Sequence, residues 1–195
     1  MKEMSMKTRK LFMLLLGCKP EGRHTEQHDI FFGIGTELSD LVQEIQAFWP
    51  GNHSIHIDAW REINLVDGFA VVVQEKKSLP DAPTKDSWRL FFINLGGYKE
   101  NEFEEFHYRM VLAARSKAEA IARAKATAFY RHTGFKGADS HIDDKYGIDV
   151  DDFYEVADLL PKRIKEQYQL LVHPSDATIA DAWELGYTKL SSLVK

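Results

Sequence analysis

The sequence predicts an α+β fold of two tandem ββαββ-type repeats, mostly antiparallel sheet with the helices on one face, packed about a pseudo-twofold axis. Three observations predict it. Leu11-Phe12-Met13-Leu14-Leu15-Leu16-Gly17 is echoed by Leu90-Phe91-Phe92-Ile93-Asn94-Leu95-Gly96. At the same offset Glu26 and His28 fall on Glu105 and His107, and His56-Ile57-Asp58 recurs, after a few additional residues, as His141-Ile142-Asp143. Each half also combines continuous apolar runs, the pattern of strands covered on both faces, with one amphipathic helix.

Residues 1–9 read as a flexible leader. Lys2, Lys7, Arg9 and Lys10 precede Leu11 to Leu16, and Leu15-Leu16-Gly17-Cys18 is similar to a lipoprotein cleavage box. The apolar core of that segment is only about six residues, short for a signal sequence. Its recurrence inside the chain also makes it structure, a strand over 10–17 matched by 89–96.

After each first strand comes a polar loop, 18–25 or 97–104, and a second strand at 27–35 or 106–114. A helix follows in the first half, with Thr36 as N-cap, Leu38, Leu41, Val42, Ile45 and Phe48 on one stripe, and Pro50-Gly51 at its end. In the second half Ser116 and Glu119 form a capping box, and the inward stripe of Ala120, Ile121, Ala124, Ala128 and Phe129 is small enough for close approach.

The third strand, 54–63, alternates Ile55, Ile57, Ala59 and Ile63 against His56, Asp58, Trp60 and Glu62. Asp67-Gly68 marks a turn before a fourth strand at 69–74. The corresponding place in the second half reads as an extra helix pair over 151–167, broken by Pro161, before a delayed fourth strand at 168–173. The boundaries are therefore 10–79 for the first repeat, 80–88 for a linker, 89–173 for the second repeat with its inserted helix, and 174–195 for a C-terminal extension packing on the body.

Composition narrows the function classes. The chain of 195 residues is 44% hydrophobic with a net charge of −5. That balance suits a globular protein and supplies no positive field for nucleic acid or an anionic membrane, so neither is an expected partner. A single cysteine, Cys18, forms no internal disulfide and fits a cytoplasmic setting. An unknown small molecule or protein is the expected partner, and a homodimer is compatible with the pattern.

The chain also resembles, over most of each copy, a bacterial family catalogued only as a domain of unknown function, number 1543. The residues that carry the resemblance are Lys10 to Gly17, the run Gly22-Arg23-His24-Thr25-Glu26-Gln27-His28-Asp29-Ile30-Phe31-Phe32-Gly33-Ile34-Gly35, and His56-Ile57-Asp58-Ala59-Trp60-Arg61-Glu62. The second copy departs in its loop, with Phe103 in place of His24 and Tyr108 in place of Asp29. The resemblance implies no activity, cofactor or partner.

The polar residues shared by both copies are the candidate site. Glu26 and His28 form the candidate catalytic pair; His56, Asp58, Glu105, His107, His141 and Asp143 are candidate binding residues; His24, His28, His56 and Asp58 are candidate ligands of a divalent metal. In His24-Thr25-Glu26-Gln27-His28 the two-residue spacing of an extended strand puts the three polar side chains on one face. Without sulfur, such a set suits Zn²⁺, Mn²⁺ or Fe²⁺. The alternation of the third strand also reads His56 and Asp58 as a solvated sheet surface, and Glu26 with His28 as a pair closing a loop. Gly33-Ile34-Gly35 lacks the third glycine of a phosphate loop and reads as close packing of the following helix.

Three function classes stay open: a pseudo-symmetric ligand- or protein-binding module, a metal-dependent hydrolase-type enzyme with Glu26 as general base, and a structural protein with no site.

Overall fold

The computed structural model describes residues 8–51, 54–76, 86–98, 101–127, 148–177 and 181–194. In chain order these form β1 (Lys10–Cys18), β2 (Gln27–Gly35), a 3₁₀ turn (Leu38–Leu41), α1 (Val42–Phe48), β3 (His56–Ile63), β4 (Leu65–Val66) and β5 (Phe69–Glu75). There follow β6 (Arg89–Tyr98), β7 (Glu105–Ala114), α2 (Lys117–Lys125), β8 (Ile148–Glu155), α3 (Val156–Leu159), α4 (Lys162–Gln167), β9 (Tyr168–Pro174), β10 (Trp183–Lys189) and α5 (Leu190–Leu193). The fold class is α+β, with antiparallel sheets and short helices. The chain divides into two units, residues 1–80 with 159–195 and residues 81–158.

In the first unit the apolar run of β1 takes a central place, because only a strand covered on both faces can bury so continuous a sequence. The sheet order is β10-β3-β1-β2. One face carries Phe12, Leu14, Leu16, Phe31 and Ile57, packed against Leu41 and Ile45 of the helical segment and Leu190 of α5. Each such large side chain contributes about 1.5–3 kcal/mol by leaving water. Gly33 permits the close approach: a Cβ there would lie 2.9 Å from a methyl of Leu41, which accounts for the glycine pair by packing.

The helix start differs in detail from expectation. Thr36 does not cap by accepting; its N–H and hydroxyl both donate to the carboxylate of Asp40, at 2.7 and 2.8 Å. The aspartate thereby draws the first turn into a 3₁₀ conformation before α1 begins. In α2 Ser116 caps as expected, its Oγ accepting from Glu119 N–H at 3.2 Å, but the Glu119 carboxylate accepts from Arg115 N–H, one residue before the cap, so the expected box is only half formed.

A second sheet in the first unit has the order β4-β5-β9. Asp67 and Gly68, at φ 53° and 82°, make the tight turn between β4 and β5. A strand forms at 168–174 as β9, but not as the fourth strand of the second repeat: it belongs to the first unit and pairs with β5, with Val72 opposite Leu171. The C-terminal extension supplies β10, which pairs with β3.

The second unit repeats the pairing of the first in the order β7-β6-β8. Phe91, Ile93 and Leu95 pack against Ala120 and Ala124 of α2. One expectation is corrected here: residues 151–155, read as the start of an inserted helix pair, belong to β8, and helix is confined to α3 and α4. Aspartates are poor strand formers, so the local pattern of Asp149, Asp151 and Asp152 hid a strand that pairing with apolar β6 imposes.

Candidate functional site

The site begins with a glycine. Gly17 ends the apolar stretch of β1, and its register partners are His28 on β2 and His56 on β3. Two imidazoles thus flank a position with no side chain. A Cβ at Gly17 would lie 2.5 Å from His56 Nε2 and 2.6 Å from Asp58 Oδ2, so the space is filled by side chains of β3.

Pairing of β1 with β3 shifts register between Leu15 and Leu16, and Asp58 is the residue left out of the ladder. The bulge breaks strict alternation. Trp60, expected on the polar face, packs against the core, with its ring 6.2 Å from Phe12. Asp58 instead turns toward His56 and His28.

Four contacts close a ring. His56 Nε2 lies 3.0 Å from Glu26 Oε1 and 3.3 Å from Asp58 Oδ1, while His28 Nε2 lies 3.6 Å from Glu26 Oε2 and 3.3 Å from Asp58 Oδ2. The reading of His56 as a solvated surface residue is corrected: it is 6% exposed. Its ring is covered by Tyr187 of β10, centroid to centroid 4.4 Å. His56 Nδ1 sits 3.1 Å from the carbonyl oxygen of Ser54. A carbonyl only accepts, so Nδ1 carries the hydrogen and Nε2 is the nitrogen presented to the carboxylates.

Asp58 Oδ2 is enclosed and, among the described residues, accepts no well-formed hydrogen bond, His28 Nε2 being its nearby nitrogen at 3.3 Å. His24 stays outside the ring, exposed in the loop before β2. Cys18 is buried, and burial together with the Glu26 carboxylate pushes its thiol above the ordinary range, which disfavours the thiolate. A cavity of about 650 Å³ is lined among others by Gln46, Ser54, Ile55, Tyr187 and Lys189.

The second unit presents the same positions. Gly96 pairs with His107 on β7 and with Asp149 on β8, and the register shift falls between Asn94 and Leu95, leaving Asp151 out of the ladder as Asp58 is. Glu105 stands two residues before His107, as Glu26 does before His28. Ligand atoms of Glu105, His107 and Asp151 lie within 4.8 Å of one another, and His107 Nε2 is 3.3 Å from Asp151 Oδ2. Burial, a hydrogen bond to Glu105 and the carboxylates of Glu105 and Asp151 push the Tyr98 hydroxyl above its ordinary pKa. Asn94 is buried on the same strand and donates to Asp152 Oδ2 at 3.2 Å.

Of the residues singled out in the sequence, the structure brings together Glu26, His28, His56 and Asp58 in one unit and Glu105 with His107 in the other. His141 and Asp143 lie outside the described residues, and the position of Asp58 is taken in the second unit by Asp151. Sequence reasoning missed Asp151, Tyr98 and Tyr187. It also passed over Gly17 and Gly96 as site residues, although their recurrence at the end of each apolar run was a readable signal.

A family described as Domain of Unknown Function (DUF1543) matches residues 23–73, a stretch holding Glu26, His28, His56 and Asp58. No curated protein matches the chain. The crystal structure of a protein Il1583 from Idiomarina loihiensis is similar over 93% of this chain and 98% of that one, with a TM-score of 0.58 at 22% identity, a likeness of fold. Among the described residues, no helix is long and apolar enough to cross a membrane.

Proposed function

We propose that this protein is a binding module with one imidazole and carboxylate site per unit, built on a doubled ββαβ design, and that the ligand of each site is a divalent cation. The observation that carries the reading is the recurrence of one constellation: a glycine near the end of the central strand, Glu-x-His on the strand beside it, and an aspartate at the bulge of the third strand. A solvated surface or a loop-closing pair has no reason to recur with its bulge and its glycine.

The chemistry of the donors supports a cation. His56 Nδ1 faces the Ser54 carbonyl, so its Nε2 is presented to the carboxylates of Glu26 and Asp58. Two carboxylates converging on that nitrogen favour positive charge between them. Nitrogen to oxygen separations of 3.0–3.6 Å are those of adjacent ligands around an ion bonded at about 2.1 Å. The Ser54 carbonyl plays the outer part that orients a metal-bound histidine.

The test is titration of untagged protein with Zn²⁺ and Mn²⁺ by calorimetry, with thermal melts alongside. Saturation near a hundredfold over Kd stabilises by about 2.7 kcal/mol, which raises Tm by roughly 5–10 °C for a chain of this size. His28→Ala removes the first site and His107→Ala the second. A protein that gives neither heat nor stabilisation with either ion, and a Tm indifferent to chelators, would falsify the proposal.

A further inference from the structure

Resting on that two-site reading, we infer that the sites differ in ion preference: the first unit favours Zn²⁺ and the second shifts toward Mn²⁺. The constellation is conserved between units at three positions and broken at one. The register partner of Gly17 on the third strand is His56, whereas the register partner of Gly96 is Asp149, so the second unit offers no imidazole at that position.

The first set therefore holds two imidazoles and two carboxylates, in Glu26, His28, His56 and Asp58. Among the described residues the second holds one imidazole, His107, with Glu105 and Asp151, and the Tyr98 hydroxyl is bonded to Glu105. Imidazole nitrogen favours Zn²⁺, while a mostly carboxylate set favours harder ions such as Mn²⁺. Surroundings differ in the same sense. His56 lies under the Tyr187 ring, brought by the C-terminal strand β10 to the outer edge of β3, and only 8% of its side chain is exposed. Glu105, His107 and Asp151 are all exposed, which suits an ion that keeps several waters.

Both ions are titrated into two single-site proteins. Glu26→Gln with His28→Ala leaves the second site, and Glu105→Gln with His107→Ala leaves the first; bound Mn²⁺ is read by its electron paramagnetic resonance signal. The expected result is a ratio of Zn²⁺ to Mn²⁺ affinity at least about tenfold higher at the first site. Asp149→His then raises that ratio at the second site, and His56→Asp lowers it at the first; if the buried His56 variant fails to fold, Asp149→His carries the comparison. Equal ratios at the two sites, unmoved by Asp149→His, overturn this inference and leave the two-site reading standing. Absence of binding in the unsubstituted protein overturns both.

Discussion

Gly17 and His56 are register partners on adjacent strands, and a methyl group at Gly17 would meet His56 Nε2 at 2.5 Å. The glycine is required by the site and not by its backbone, since its φ is not among the positive values. Gly17→Ala is therefore expected to leave the strand in place while pushing His56 and Asp58 apart, at a cost of about 1–3 kcal/mol from overpacking. Cation affinity should fall at the first site and hold at the second. Calorimetry and a urea melt check both numbers, and an alanine variant with unchanged affinity would contradict the geometry.

Acid sensitivity should depend on Asp40. Burial alone raises its carboxyl, but hydrogen bonds from Thr36 and Glu37, and the charge of Arg9, outweigh burial and hold it below the ordinary 3.8. A carboxyl lowered on folding stabilises fully above its unfolded pKa, and that contribution is lost as pH falls through the folded value. Asp40→Asn should lower the urea midpoint near neutral pH, and its deficit should shrink below about pH 4. A deficit independent of pH would assign the aspartate a purely steric role.

The thiol of Cys18 should be inert in the native protein. It is fully buried among core residues, and both burial and Glu26 disfavour the thiolate. Labelling by an aromatic disulfide reagent is expected to proceed no faster than unfolding, and to become rapid in denaturant. Fast stoichiometric labelling without denaturant would mean that the end of β1 opens readily.

Ile45 joins α1 to the sheet and is completely enclosed. Ile45→Ala should cost about 2–5 kcal/mol, the range for a buried aliphatic side chain that leaves a cavity. By contrast, Ser116→Ala removes only the cap hydrogen bond to Glu119 and should cost about 0.5–2 kcal/mol. Paired chemical melts give the two values, and a smaller loss at Ile45 than at Ser116 would invert the packing described for the first unit.

Much of this molecule was legible in its residues. Apolar runs placed β1 and β6, the turn formers Asp67-Gly68 placed the hairpin before β5, and repetition singled out Glu26, His28, His56, Asp58, Glu105 and His107. These features are local, set by side-chain period and by backbone preferences a few residues apart. The third strand of the second unit was not legible, because Asp149 to Asp152 has no strand pattern of its own and is extended through pairing with β6.

Only the tertiary structure decided which carboxylate completes each site. The bulges that turn Asp58 and Asp151 inward exist between strands, not within them. It also decided that β10, from the far end of the chain, covers His56 with Tyr187. Local sequence specifies which stretches are extended and which faces are apolar; which edges meet depends on the free energy of pairing distant segments, and no single segment carries that information.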